Sequence, residues 1–213
     1  IEGVGDELRW YAALLGEVRD CEVQRRRFAD AVAALDSRLV VGPVDAGIDE
    51  ALAARQAAAR AQVRDAMDSP RYLNLLAALR RWQRTPPLAA GITPKALRKR
   101  TARAGRKADH RLAAALVTGD DRQLHRARKA AKRARYAAEL ARAVQGKSMK
   151  KKVKRYKRIQ RILGEHQDSV VAASTLLDLA SRPGATTPTF TYGVLYAAEV
   201  HAAQSIRRTA GDL

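Results

Sequence analysis

The chain has 213 residues, room for one large domain or two small ones, and 46% of them are hydrophobic against only 5% aromatic, so its core must be built largely from small side chains. A net charge of +19 and a pI near 10.9 oppose compaction by self-repulsion and select polyanions as partners: nucleic acid, polyphosphate, anionic lipid or acidic protein. The single cysteine, Cys21, excludes an internal disulfide and any multi-cysteine metal site, and no run approaches the roughly 20 apolar residues of a membrane span.

The start, IEGVGDELRW, is acidic, has no initiator Met and lacks the basic-then-apolar layout of a signal peptide. It points to a reducing, cytoplasmic setting and to a piece of a longer chain. Pro43, Pro70, Pro86, Pro87, Pro94, Pro183 and Pro188, with Gly42, Gly91, Gly119, Gly146 and Gly184 nearby, divide the chain. The Ala-, Leu- and Arg-rich segments between them predict helices over 6–41, 45–67, 70–85, 94–117, 121–144, 148–181 and 189–209. In the first, Leu8, Tyr11, Leu14, Leu15 and Val18 share one side, with Glu22 as a charged exception. Ser69 and Pro70 supply a capping hydroxyl and an N1 proline for the third, and Asp120 or Asp121 can cap the fifth. In the sixth, Val153, Tyr156, Ile159, Ile162, Leu163 and Val170 form an apolar stripe. No stretch alternates with period two, so the expected fold is all-α, a bundle of seven helices joined by short connections.

The fifth segment carries the densest pattern. LHRARKAAKRARYAAEL, from Leu124 to Leu140, has seven Arg, Lys or His among seventeen residues. At about 100° per residue, His125, Arg128, Lys132, Arg135 and Tyr136 share one face, while Ala127, Ala130, Ala131, Ala134, Ala137, Ala138 and Ala141 form the opposite one. Arg126, Lys129 and Arg133 fall off the stripe, toward solvent. Like charges three and four residues apart repel by a few tenths of a kcal/mol per pair, which a bound anion would relieve. Arg forks match phosphate oxygens, Lys adds a compact charge, and His and Tyr donate hydrogen bonds. A solvated basic face is the alternative from this helix alone. Comparable stripes recur: Lys99, Arg103, Arg106, Lys107 and His110 in the fourth helix, and Lys150, Lys154, Lys157 and Arg161 in the sixth.

An internal repeat aligns Leu8–Val23 with Tyr156–Val171, five of sixteen positions being identical around a shared L-G-E-x-x-D core. Arg9 takes the place of Lys157. The aspartates Asp20 and Asp168 read as structural ion-pair partners, and the glycines Gly16 and Gly164 as points of close helix approach. The repeat puts the counterpart of Leu124–Leu140 before residue 1, so the expected fold is two pseudo-symmetric bundles, about 1–88 and 89–213, the first without its N-terminal helix.

The pattern H-x-x-R-x-x-x-K-R-x-R-Y over His125–Tyr136, followed by K-R-I-Q-R-I-L-G-E-H-Q-D over Lys157–Asp168, resembles the CHAD family, the conserved-histidine α-helical domains. WYAALLGEVRDCEV (Trp10–Val23) and DSPRY (Asp68–Tyr72) are similar to other parts of that family. The resemblance implies a basic groove or pore that binds inorganic polyphosphate, no catalytic activity, no cofactor, and a cytoplasmic or polyphosphate-granule location. It also implies fusion or association with a CYTH or triphosphate-tunnel domain, of which nothing is visible in the sequence. Carried over by position, His125, Arg128, Lys132, Arg135, Tyr136, Arg9 and Lys157 are the ligand candidates, with Arg161, Lys99, Arg103 and Arg106 added on helix phase.

Other classes weigh less. Among His110, His125, His166 and His201 no metal spacing such as H-E-x-x-H occurs, and no Gly-rich phosphate loop precedes Gly146-Lys147. Sequence-nonspecific binding of nucleic acid would show the same salt dependence. However, no recognition motif is present, and the aromatics available for base stacking are few. A helical module for an acidic protein is the third class, with Lys147–Arg158 as its basic run.

Overall fold

A computed structural model describes residues 2–87, 93–181, 189–211 and 213. Among them are seven α-helices and no strand: α1 (Glu2–Ala33), α2 (Val44–Met67), α3 (Pro70–Arg84), α4 (Pro94–Thr118), α5 (Asp121–Gln145), α6 (Lys147–Ala180) and α7 (Thr189–Ala210). The all-α class expected from the sequence is the observed one. Pro183, Pro188, Gly91 and Gly184 lie outside the described residues. None of the described helices is long and apolar enough to cross a membrane.

The starts of α3, α4 and α5 follow local chemistry. The Ser69 hydroxyl accepts the Tyr72 N–H at 3.2 Å ahead of Pro70, and Thr93 accepts that of Ala96 at 3.2 Å ahead of Pro94. Asp120, not Asp121, caps α5, taking the Gln123 N–H at 2.8 Å. Gly119 closes α4 at φ 62°, a left-handed conformation that suits glycine.

The first helix differs from expectation. It ends at Ala33 rather than 41, and a 3-10 turn follows over Ser37–Leu39. Asp36 accepts the Arg38 N–H at 2.9 Å, and the Thr191 hydroxyl accepts the Val41 N–H at 2.9 Å while donating to the Leu39 carbonyl at 2.8 Å. These bonds hold 36–41 in a non-helical path, and one partner lies 150 residues away. The expected apolar side is buried only in part, at Tyr11, Leu14 and Val18, which are half-buried. Leu8 and Leu15 are 40% and 45% exposed and Glu22 is exposed, while Cys21, Gln24 and Phe28 carry the buried line.

By contact the chain falls into two compact units, Ile1–Ala89 with Leu177–Leu195, and Ala90–Leu176 with Tyr196–Leu213. In the first unit, Arg25 bridges Asp49 at 2.7 Å, Arg55 bridges Glu17 at 2.5 Å and Arg71 bridges Glu7 at 2.5 Å. The Arg71 guanidinium also covers the Trp10 ring at 4.0 Å.

The core of the second unit joins Ala127, Ala130, Ala131 and Ala134 of α5 to Ala108, Leu112 and Ala115 of α4 and to Tyr156, Ile159, Ile162 and Leu163 of α6. Small α5 side chains let the neighbouring helices approach closely, and the α6 stripe is buried as its period implies. Gly105 of α4 meets the same need. A Cβ there would stand 2.9 Å from the hydroxyl of the buried Tyr156 ring. A glycine within a helix costs roughly 1 kcal/mol against alanine, and this contact is its reason.

Candidate functional site

The site is built within the second unit, where α5 meets α6. The alanine face of α5 is buried, and that fixes the rotation of the helix about its axis. His125 and Arg128 then emerge at the edge of the contact with α6, half-buried, and Arg135 is half-buried two turns beyond Arg128, while Lys132 and Tyr136 stand in solvent. Arg128 lies across Gly164 of α6, its Nε 3.4 Å from where a Cβ would be. Gln167 of α6, one turn further along, lies beside His125 and favours its protonated form. Gln160 of α6 lies one turn before Gly164 and is half-buried.

These groups are under-satisfied. His125 Nδ1, Arg128 Nε, Arg135 Nε and Gln160 Oε1 are shielded from solvent and have no hydrogen-bond partner among the described residues. Each such atom costs about 1–3 kcal/mol when left unmet. Arg135 has a carboxylate near, Glu139 Oε1 at 3.6 Å, too distant for a hydrogen bond. The Arg135 guanidinium instead sits 4.8 Å from the Tyr136 ring centroid, with Lys132 Nζ at 5.9 Å. The tyrosine thus steadies two cations from below.

The other predicted residues sort differently. Lys157 is exposed on α6. Arg161 donates to Glu165 at 2.8 Å along its own helix. Lys99 and Arg106 are exposed on α4, and Arg103 lines a cleft between α4 and α5, on the flank of α5 away from His125. Arg9 belongs to the other unit, where it is paired with Asp6 and donates to the Gly5 carbonyl at 3.2 Å. Helix phase did not single out Gln160 and Gln167. The signal for them was their spacing, one turn to either side of Gly164.

Burial lowers the pKa of His125, with Lys129 and Arg128 adding to the shift and Gln167 opposing it. His166, 3% exposed with Nε2 3.4 Å from Asp121 Oδ1, is also lowered, first by burial and then by Arg207, against the pull of Asp121. Both side chains are therefore neutral in the folded chain where an unfolded histidine, with its ordinary value near 6.5, begins to protonate. Stability is full above that value. It falls as pH drops through 6.5 toward the folded values, because the unfolded state takes up the protons first. Urea midpoints measured from pH 8 to 5 should show this loss, and His166→Gln should flatten the profile. An unchanged slope in that variant would exclude His166 as a source.

A family model described as CHAD domain matches residues 2–177. The chain belongs to the CHAD domain family. Two curated relatives from Mycobacterium tuberculosis, MT2285 (strain CDC 1551 / Oshkosh) and Rv2226 (strain ATCC 25618 / H37Rv), both described as uncharacterized, are 35% identical over 212 residues. The match takes in 95% of this chain and 40% of theirs, so the CHAD chain spans less than half the length of these relatives. Among solved structures, the CHAD domain from the plant Ricinus communis is similar at a TM-score of 0.71 and 29% identity, over 100% of this chain and 73% of that one. PptA from Streptomyces chartreusis has the same fold at a TM-score of 0.80 and 23% identity, over 100% of this chain and 80% of its own.

Proposed function

We propose that this CHAD domain binds inorganic polyphosphate, without chemistry of its own, in the groove between α5 and α6. The observation that carries the reading is the row of unmet polar atoms on His125, Arg128 and Arg135, set beside Gly164. Two guanidinium forks and a neutral imidazole N–H suit successive phosphate oxygens. The exposed Lys132 and Lys157 supply long-range attraction. An inorganic chain presents phosphate oxygens along its whole length and no bases, which matches a groove with cations and amides but with one exposed ring, Tyr136.

Calorimetric titration with long-chain polyphosphate, single-stranded DNA and duplex DNA at several salt concentrations tests it. Polyphosphate should bind more tightly at matched charge and salt, with a steep salt dependence for all three. DNA binding as tightly or more tightly would favour a nonspecific nucleic-acid module instead.

A further inference from the structure

The other flank of α5 carries a second basic cleft that the proposed groove does not use. Arg100, Arg103 and Lys107 of α4 and Arg133 of α5 ring a cavity of about 220 Å³ floored by Ala104 and Ala130. No carboxylate lines it. None of the four cations has an ion pair or hydrogen bond among the described residues, whereas Arg135, Arg155 and Arg161 of the same unit each face an acid. The cause is compositional. Helix α4 holds eight Lys or Arg and one acid, Asp109, and Asp109 is engaged on its other side by Arg155 at 2.5 Å and by Tyr156. Arg100, Arg103 and Lys107 fall three and four residues apart, so they repel one another along a single stripe.

The floor separates this cleft chemically from the α5–α6 groove. The Thr101 hydroxyl contacts both the Leu97 carbonyl at 2.9 Å and the Ala137 carbonyl of α5 at 3.4 Å, so the two helices pass closely here. Of the residues lining the cleft, only Ala104 and Ala130 are apolar, and the walls are the long side chains of Arg100, Arg103, Lys107 and Arg133. An inorganic phosphate chain has nothing to place on methyl groups. A heterocyclic base does, and guanidinium planes stack on such rings. The volume is below the roughly 300–1,000 Å³ of sites that engulf a drug-sized ligand. It therefore suits one ring system, with the attached phosphates lying along the cationic rim, where Arg forks meet them in pairs.

We propose that the α4–α5 cleft is a separate site for a nucleoside polyphosphate. The base covers Ala104 and Ala130, and the phosphates lie among Arg103, Lys107 and Arg133. The site stands apart from the polyphosphate reading and is tested apart from it.

The probes are ATP, inorganic tripolyphosphate and long-chain polyphosphate, each titrated calorimetrically into the full chain at one salt concentration without divalent ions. ATP should bind several-fold more tightly than tripolyphosphate, although both are short phosphate chains of high negative charge. The R103Q/K107Q/R133Q variant should lose roughly tenfold or more of its ATP affinity. It should lose only several-fold of its affinity for long-chain polyphosphate, as expected for lost bulk charge and clearly less than its loss for ATP. A104L keeps every charge but fills the floor, and should erase the preference for ATP over tripolyphosphate while thermal melting shows it folded. Equal binding of ATP and tripolyphosphate by the unaltered chain overturns the proposal, as does undiminished ATP binding by the triple variant. The long-chain titration reports separately on the α5–α6 groove, so either reading can fail without the other.

Discussion

Replacing Arg128, Lys132 and Arg135 together by Gln is expected to weaken long-chain polyphosphate binding by about 100-fold or more. Hydrogen bonds from charged donors are worth about 1.5–3 kcal/mol each, and about 1.4 kcal/mol is a factor of ten, so the two arginines account for that loss alone. Replacing Arg122, Arg126 and Arg142 removes the same three charges from exposed positions of the same helix. Both variants should therefore lose a similar part of the salt slope, while the second loses affinity only several-fold. The stability of the unliganded protein should change little in the first variant, because removing the unpartnered donors of Arg128 and Arg135 offsets the lost contacts of Lys132 and Arg135 with the Tyr136 ring. Titrations at three salt concentrations, with thermal melts of each variant, decide it. Equal losses in the two variants would mean that bulk charge, not the α5–α6 groove, holds the chain.

What could be read in the sequence was whatever is decided locally. Ser69-Pro70, Thr93-Pro94 and Asp120 mark helix starts because a capping oxygen and an N1 proline act within one turn. The α5 alanine face was legible because seven alanines cluster on one arc, and burying that arc sets His125, Arg128 and Arg135 at its edge. The end of α1 was not legible. The Thr191 hydroxyl that holds Leu39 and Val41 comes from α7, and nothing in the pattern of 34–41 announces it. Helix phase also gives a face without saying which neighbour covers it. Arg103 shares the α4 stripe, yet the packing turns it toward Arg133 instead of toward His125. Arg133, read as solvent-facing, is exposed but lines that cleft. The unmet donors depend on three-dimensional shielding and have no sequence signature.

The same limit shapes the second large effect, because two leucines that the repeat aligns should respond very differently to truncation. Leu163 is 1% exposed and joins the α5 alanines in the second unit's core, so Leu163→Ala should cost about 2–5 kcal/mol. Leu15, its aligned partner in α1, is 45% exposed, and Leu15→Ala should cost under about 0.5 kcal/mol, the range of ordinary surface changes. Gly16 and Gly164 follow suit. Nothing stands within 4 Å of a Cβ built on Gly16, whereas one on Gly164 would touch Arg128. Identical residues in aligned helices thus differ because the α5 alanine face covers one of them. Urea denaturation of the two variants at two protein concentrations measures the difference. A loss for Leu15→Ala that approaches that of Leu163→Ala would mean that the exposed side of α1 is covered in solution. If that loss also grows with protein concentration, the cover is a second copy of the chain, since only association makes stability depend on concentration.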